Sequence, residues 1–315
     1  MSDLQSAVST VVRRCLGVHA GEEVVVVVDR ATRTIGEALR DEAAAAGTEA
    51  VLTIMDERAT DGTEPPASVA AAMAACDVFI APTSRSLSHT NARKRATDGG
   101  ARGATMPGVT EDMLARVMSV DLDAMAARSK AVAALLDAGT RAHVTCPRGS
   151  DLRLAIDGRA GISDDGKLTE RGAFGNLPCG EAFIAPAYGE GTVVATSLAP
   201  LGLSTEPATL TVAEGRIVAA DGGLGPQFIE LLLAHGRLGT NLAELGVGTN
   251  DRAQLTGNVL EDEKILGTVH VAFGASAGIG GTVSVPIHLD VVVLDASLEV
   301  DGRQILDGGR YVLDQ

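Results

Sequence analysis

The sequence predicts an α/β amino-terminal domain with a parallel sheet, residues 1–139, followed by an α+β, strand-rich metal-binding domain, residues 140–315. In the first part, short apolar runs alternate with alanine-rich helical segments, which is typical of βαβ units whose strands are buried on both faces. In the second part, strand patterns end at turn signals such as Asp-Gly and Glu-Gly. A chain of 315 residues is long enough to form a core in each part.

The amino-terminal elements alternate in the order that a parallel sheet requires. Strands are predicted over residues 24–28, 50–54, 78–81 and 103–106. Helices are predicted over residues 35–46 and 68–75, from residue 91, and in the closing stretch 111–138. The first strand leads into Asp29-Arg30-Ala31-Thr32 and not into a Gly-x-Gly-x-x-Gly loop, so NAD is not expected.

The carboxy-terminal elements are predicted as strands interrupted by a helix. Strands over residues 152–156, 208–212 and 298–300 each precede an acidic residue followed by glycine. The helix is predicted near residues 227–235, and a β-branched strand over residues 285–293.

Composition argues against several classes of partner. The net charge of −15 disfavours nucleic acid and anionic membrane surfaces, which attract basic patches. Residues 1–15 lack the apolar core of a signal peptide, and no run reaches the roughly 18 apolar residues of a membrane span, so a cytoplasmic location is expected. Four widely spaced cysteines without a Cys-x-x-Cys pair indicate reduced thiols.

Five side chains of the carboxy half are candidate metal ligands: Glu181, Glu244, His270, His288 and Asp290. Two of them, His288 and Asp290, are two residues apart in a β-branched strand, and the period of a strand places both on one face. Metal ligation explains such a polar pair, because imidazole and carboxylate together suit zinc, manganese or iron and a buried unpaired carboxylate is costly.

Two other motifs are candidates for a catalytic role. Gly274-Ala275-Ser276-Ala277-Gly278 fits the Gly-x-Ser-x-Gly nucleophile pattern, but the glycine-rich residues that follow do not favour the helix that this motif needs. His89 follows the third predicted strand, at the edge of the sheet where ligands bind, so it is a candidate general base or substrate anchor. Arg93, Lys94 and Arg95 are expected to form a solvated helix face.

The residues around Glu181 carry a resemblance to a known family. Asn176, Pro178, Glu181 and Pro186 match the Asn-x-Pro-x-x-Glu-x-x-x-x-Pro signature of the aminopeptidase T (aminopeptidase S) family of metallo-aminopeptidases. Three further blocks follow in the family order, at residues 243–246, 260–274 and 288–290. The match spans about residues 145–295.

This resemblance implies that Glu181, Glu244, His270, His288 and Asp290 are the metal ligands. It also implies an α/β domain followed by an α+β metal domain, a homodimer, and a small-molecule or short peptide substrate. The family peptidases carry a catalytic tyrosine seven residues after the first ligand histidine, where this chain has Ala277. Proteins similar to iron-dependent dihydroxypyridine ring-cleaving dioxygenases share the domain, and His89 is the candidate for their amino-terminal base.

Two enzyme classes and one non-enzymatic alternative therefore remain. The preferred interpretation is an aminopeptidase-like hydrolase with zinc, cobalt or manganese, in which Glu181 and Glu244 help to hold two ions and activated water attacks an amide. His89 and Glu181 are its catalytic candidates. The alternative is a mononuclear iron(II) ring-cleaving dioxygenase that uses His270, His288 and Asp290. A metal-stabilised binding protein without turnover is the third possibility.

Overall fold

The computed structural model describes residues 3–313. Its helices are α1 (Asp3–Ser9), α2 (Arg33–Ala45), α3 (Ala67–Ala75), α4 (Asn91–Gly99), α5 (Glu111–Val117), α6 (Leu122–Ala138), α7 (Gly225–Leu233), α8 (Gly236–Gly239) and α9 (Val259–Asp262). A π-helical turn (Thr10–Cys15) continues α1, and a 3-10 turn spans Ala277–Ile279. None of the described helices is both long and apolar enough to cross a membrane.

The strands fall into an early and a late group. The early strands are β1 (Glu23–Val28), β2 (Glu49–Ile54), β3 (Val78–Ala81), β4 (Arg102–Thr105), β5 (Arg141–Thr145), β6 (Asp151–Ala155), β7 (Ile162–Asp164), β8 (Phe174–Asn176) and β9 (Glu181–Ile184). The late strands are β10 (Tyr188–Leu198), β11 (Gly202–Ala213), β12 (Arg216–Asp221), β13 (Leu242–Gly248), β14 (Val269–Gly274), β15 (His288–Val293), β16 (Ser297–Val300), β17 (Arg303–Asp307) and β18 (Arg310–Tyr311).

The first compact unit comprises residues 3–122 and 166–179. Its sheet has the order β2-β1-β3-β4-β8, and each neighbouring pair is parallel. The central strands β1 and β3 are almost continuously apolar and buried, as expected of strands covered on both faces. This confirms the predicted parallel sheet with helices.

The second compact unit comprises residues 123–165 and 180–313. Its 13-stranded sheet runs β18-β17-β16-β5-β6-β10-β15-β14-β13-β9-β7, with β11 and β12 branching from β10. The strand pairs described in this sheet are antiparallel. One face of its central strands packs into a large apolar core that includes Leu245, Val271 and Val291. The strand-rich character predicted for this half is confirmed.

The segments that belong to each unit are not continuous in sequence. Helix α6 groups with the second unit, whereas residues 166–179 return to the first and add β8 to its sheet. The division into domains 1–139 and 140–315 therefore stays a prediction. Two predicted strands begin several residues away from their observed start: β11 begins at Gly202 and not at residue 208, and β15 begins at His288, after Pro286, and not at residue 285.

Candidate metal centre

A β-bulge in β13 places Glu244 on the face of the sheet opposite the apolar core. Leu242 and Leu245 both belong to the core although they are three residues apart, which a regular strand does not allow. The pairing with β14 shifts between Leu242 and Glu244, and this extra residue accounts for the odd spacing. A strict alternation from Leu242 would have sent the Glu244 side chain into the core.

The five predicted ligands lie on the neighbouring strands β15, β14, β13 and β9. Glu244 is in register with Ala272, and Ala272 with Asp290, so these positions share one row of the sheet. His270 lies two residues from Ala272 on the same face. The structure thus brings residues of distant sequence position together on one sheet face.

Gly246 makes room for the His270 ring. The two residues are directly opposite each other in the β13–β14 pair. A Cβ atom at Gly246 would lie 1.9 Å from His270 Nε2. Any other residue at this position would therefore displace the imidazole, which is fully buried.

Glu244 links the two histidines. Its Oε1 is 3.4 Å from His270 Nε2, and its Oε2 is 3.2 Å from His288 Nε2. Asp290 Oδ1 is 3.7 Å from His288 Nε2. Ligand atoms of Glu244, His288 and Asp290 lie within 4.8 Å of one another, as do those of Glu181, Glu244 and His270. A third group of ligand atoms within 4.8 Å of one another comprises Glu263, His270 and Asp290, so Glu244, His270 and Asp290 each belong to two groups.

The backbone holds the His288 ring in one tautomer. Its Nδ1–H donates a hydrogen bond of 2.7 Å to the carbonyl of Ala275. Because a carbonyl oxygen can only accept, Nδ1 keeps its proton, and Nε2, which faces the Glu244 and Asp290 carboxylates, is the nitrogen that loses its proton when a metal ion binds. This is the orienting contact that metal-ligating histidines commonly make.

A buried lysine adjoins the cluster. Lys264 Nζ donates to Glu181 Oε1 over 2.8 Å and also donates to Glu263 Oε1. The Lys264 side chain is completely buried. A carboxylate oxygen of Glu263 lies within 4.8 Å of a potential ligand atom of His270 and of one of Asp290. Glu263 and Lys264 were not recognised as site residues from the sequence, although four consecutive charged residues, 261–264, next to a strand were a usable signal.

Charges within the cluster shift its pKa values. Burial would lower the pKa of His270, but the Glu181 and Glu244 carboxylates raise it well above its ordinary value. Burial would raise the pKa of Glu244, but both histidines lower it. Burial raises the pKa of Glu263 to about 8, although Lys264 acts in the opposite sense. An incoming cation must displace protons from the imidazoles, so binding of the ion releases protons.

The cluster fits a divalent metal ion. Two buried atoms, Glu181 Oε2 and His270 Nδ1, have no hydrogen-bond partner among the described residues. Glu181 Oε2 is 3.1 Å from His270 Nε2, a hydrogen-bonding distance, but the two groups are not aligned for a hydrogen bond. A buried carboxylate oxygen without a hydrogen-bond partner is costly, and a divalent ion in place of the imidazole proton would satisfy it. The donors, imidazole nitrogen and carboxylate oxygen, suit zinc, manganese and iron.

His89 lies in the first unit, at the carboxyl edge of the parallel sheet. The preceding residue is held in place, because Ser88 Oγ is 2.7 Å from Thr105 Oγ1 and donates to Asn176 Oδ1 over 3.2 Å. His89 itself is exposed in the turn before α4. Its role as base or anchor stays a prediction.

The expectation of a solvated face was wrong for Arg93. Its guanidinium carbon is 4.3 Å from the centroid of the Phe174 ring, a cation-π contact. Its Nε also donates to the Ser88 carbonyl over 2.7 Å. Lys94 and Arg95 are exposed as expected.

Ser276 is built into a turn and does not begin a helix. A 3-10 turn, Ala277–Ile279, follows it, and Ser276 Oγ accepts a hydrogen bond of 3.2 Å from the Val283 N–H. This is not the strand-to-helix geometry of a nucleophile elbow. Ala277, at the position of the peptidase tyrosine, is exposed and offers only a methyl group.

Comparison with known proteins identifies the family of this chain. The family model "NicX: 2,5-dihydroxypyridine 5,6-dioxygenase" matches residues 3–313. The chain belongs to the NicX family. Among curated proteins, none matches the sequence.

Two solved structures share the fold of this NicX-family chain. The 2,5-dihydroxypyridine dioxygenase from Pseudomonas putida KT2440 aligns with a TM-score of 0.83 and 19% identity, covering 99% of this chain and 98% of that one. Wild-type AmpT from Thermus thermophilus aligns with a TM-score of 0.72 and 19% identity, covering 99% of each chain. At this identity the likeness establishes the fold alone. The expected likeness to aminopeptidase T and to dihydroxypyridine dioxygenases is confirmed at the level of the fold.

Proposed function

We propose that this protein is an iron(II)-dependent dioxygenase that opens the ring of a hydroxylated pyridine or a related aromatic compound. The observation that carries the proposal is the match of the NicX family model to residues 3–313, nearly the whole chain. The proposal reverses the preference for an aminopeptidase-like hydrolase that the sequence motifs favoured. In the proposed reaction one ring carbon–carbon bond breaks and both atoms of O₂ enter the product.

The ligand chemistry supports iron as the ion. His270 and His288 supply imidazole nitrogens, and Glu244 and Asp290 supply carboxylate oxygens on the same sheet face. Histidine and carboxylate ligands with open positions are typical of non-haem iron(II) oxygenases. When bound, the iron would supply the redox chemistry that brings O₂ and the substrate to reaction.

The chain's own residues would bind and orient the ion and move a proton. The Ala275 carbonyl holds His288 Nε2 in its ligating orientation. An imidazole nitrogen of His89 is proposed to accept the proton of a ring hydroxyl, because a ring that has lost this proton is richer in electrons and easier to oxidise. The glycine-rich residues 278–281 put little side-chain bulk near the carboxyl end of β14.

One observation favours the hydrolase as a second candidate. Glu244 is shared by two ligand groups, which is an arrangement expected of a carboxylate that bridges two ions. Against it, Ala277 cannot donate a hydrogen bond to a developing oxyanion, and loss of such a donor costs on the order of 100-fold in turnover. The hydrolase therefore ranks second.

The test is a direct comparison of the two reactions. The protein is first reconstituted with iron(II) under anaerobic conditions and is then exposed to air. It should consume O₂ when 2,5-dihydroxypyridine is added, and with ¹⁸O₂ the product should gain two labelled oxygen atoms. His89→Ala should retain its iron and lose at least ~100-fold in turnover, since a base acts on the substrate and not on the ion. Lys94→Met, at an exposed position, is the matched control.

Three results decide among the alternatives. Hydrolysis of aminoacyl p-nitroanilides with zinc, cobalt or manganese, without oxygen uptake, would establish the hydrolase and exclude our proposal. Binding of metal and aromatic ligand with no turnover of either substrate class would indicate the binding protein. Loss of iron in His89→Ala would show that this histidine is a ligand and not a base.

A further inference from the structure

The guanidinium of Arg93, in the first turn of α4, is held from three sides. Its Nε donates a hydrogen bond of 2.7 Å to the Ser88 carbonyl, and its Nη1 donates to Thr97 Oγ1 over 3.4 Å. Its central carbon is 4.3 Å from the centroid of the Phe174 ring. These contacts leave Nη2 without a hydrogen-bond partner among residues 3–313. A long side chain that is fixed in this way offers the N–H groups of Nη2 in a defined direction.

The positive charge of Arg93 is not neutralised by a carboxylate. Among the described residues Arg93 takes part in no ion pair, and Asp98, which acts on it through space, is itself ion-paired with Lys94 at 2.7 Å. Arg93 is half-buried, and the chain has a net charge of −15. An uncompensated, half-buried guanidinium gains by binding an anionic oxygen, because this restores interactions that burial removes from water.

Asn176 supplies a second hydrogen-bond donor close to Arg93. Its Oδ1 accepts hydrogen bonds from Thr105 Oγ1 over 2.7 Å and from Ser88 Oγ over 3.2 Å. With Oδ1 engaged, the amide nitrogen has no partner within the part of the chain that the structure describes. This nitrogen is not one of the fully buried atoms that lack a partner, so it is accessible to solvent.

The two donors lie on the same face of β8. Phe174, on which the guanidinium stacks, and Asn176 are two residues apart, and the period of a strand directs both side chains to one face. Ser88 joins the donors, because its carbonyl accepts from Arg93 and its hydroxyl donates to Asn176. The residue after Ser88 is His89, the proposed base.

We propose that Arg93 and Asn176 bind a carboxylate group of the substrate. The two oxygens of a carboxylate can accept from a guanidinium and an amide together, and a planar guanidinium suits this geometry. A neutral ring hydroxyl would leave the charge of Arg93 uncompensated. The substrate class is therefore a hydroxylated pyridine or related aromatic ring that carries a carboxylate. The inference rests on the proposed function for the aromatic ring and adds a requirement for negative charge.

The experiment compares two ligands that differ only in the carboxylate, 5-hydroxypyridine-3-carboxylate and 3-hydroxypyridine. Each is titrated by isothermal calorimetry into protein loaded with zinc, so that no oxygenation occurs. Wild-type protein should bind the carboxylate at least ~10-fold more tightly, because hydrogen bonds between charged groups are strong. Arg93→Met, which keeps an apolar contact with Phe174, should weaken the carboxylate by ~10-fold or more and 3-hydroxypyridine by less than ~3-fold. Lys94→Met, which removes an exposed charge from the next residue, is the matched control and should change neither affinity.

Equal weakening of both ligands in Arg93→Met would overturn the inference, because Arg93 would then only support the turn that carries His89. An absent preference in the wild-type protein would also overturn it, as would a preference that Arg93→Met leaves unchanged, since the carboxylate would then bind elsewhere, for example to the metal ion.

If Arg93→Met does not fold, Asn176→Asp decides. Aspartate is nearly isosteric and accepts the same hydroxyl hydrogen bonds, but its charge should weaken the carboxylate ligand by ~10-fold or more relative to 3-hydroxypyridine. An equal effect on both ligands would overturn the inference. Because binding is measured without turnover, an absence of oxygenase activity leaves this result unaffected. Oxygen consumption with 2,5-dihydroxypyridine, which has no carboxylate, tests the proposed function alone.

Discussion

Each compact unit buries ionised side chains, but the two clusters differ in how their charges are balanced. In the first unit, Arg102 forms a two-pronged ion pair with Glu22, at 2.7 and 2.9 Å, and donates further hydrogen bonds to the carbonyls of Leu16 and Gly17. In the second unit, Lys264 faces several carboxylates, and atoms of Glu181 and His270 lack a hydrogen-bond partner among the described residues.

A structural ion pair differs from a ligand site in whether all its polar atoms have partners. A balanced pair whose donors and acceptors are satisfied is complete without an additional ion. A cluster with surplus carboxylates, two imidazoles and unsatisfied atoms gains by binding a cation. Buried charge alone therefore does not indicate function, whereas buried charge without a complete set of partners does.

The largest effect is expected when a candidate metal ligand of the second unit is removed. We expect His288→Ala and Asp290→Ala each to lower metal affinity by at least ~100-fold, the upper end of the cost for residues that only support ligands. The fold should persist, because both side chains lie on the face opposite the core residues Val291 and Val293. Elemental analysis and circular dichroism measure the two outcomes.

His143→Ala is the control for these variants, since His143 lies on β5 and bonds to Asp151 away from the ligand groups. Unchanged metal content in either His288→Ala or Asp290→Ala would disprove the assignment of that residue.

The next prediction concerns the ion pair between Arg102 and Glu22 in the first unit. Arg102→Leu should lower the free energy of unfolding by about 3 kcal/mol, because it leaves Glu22 buried without its partner. Metal content should be unchanged. Arg95→Leu, on an exposed face of α4, should change stability by less than ~0.5 kcal/mol. Urea denaturation of both variants decides, and equal stability of the two would show that the Arg102 pair contributes nothing.

The same pair has a defined dependence on pH. Burial would raise the pKa of Glu22, but its hydrogen bonds with Arg102 lower it below its ordinary value of 4.5. A carboxylate with a lowered folded-state pKa stabilises the fold above the unfolded-state pKa and loses this contribution as pH falls through the folded-state pKa. The stability difference between wild type and Glu22→Gln should therefore be constant near neutral pH and shrink below about pH 4.5.

The smallest expected effect concerns the space beside His270. Gly246→Ala would place a Cβ atom 1.9 Å from His270 Nε2, so the ring must move. We expect a loss of about 1–3 kcal/mol in stability, typical of overpacking, together with weaker metal binding. Gly278→Ala, where an added Cβ meets nothing within 4 Å, is the matched control. Equal thermal midpoints for the two variants would contradict the crowded contact.

Much of the fold was predictable because it depends on local patterns. The alternation of apolar strands and alanine-rich helices predicted β1 to β4 and the helices between them, since a parallel sheet buried on both faces requires continuous apolar runs. The pairing of β8 with β4 was not predictable. It joins a three-residue strand, Phe174–Asn176, to one about 70 residues earlier, and no local periodicity encodes that contact.

The sequence alone specifies the types of candidate ligand side chain and the shared face of His288 and Asp290, because side-chain direction in a strand follows from its period of two. The rest of the site depends on tertiary contacts. The bulge that turns Glu244 away from the core depends on its pairing with β14, and the contact of Lys264 with Glu181 joins residues 83 positions apart. Such contacts depend on how distant segments pack, and in this protein they decide which carboxylates lie beside the two histidines.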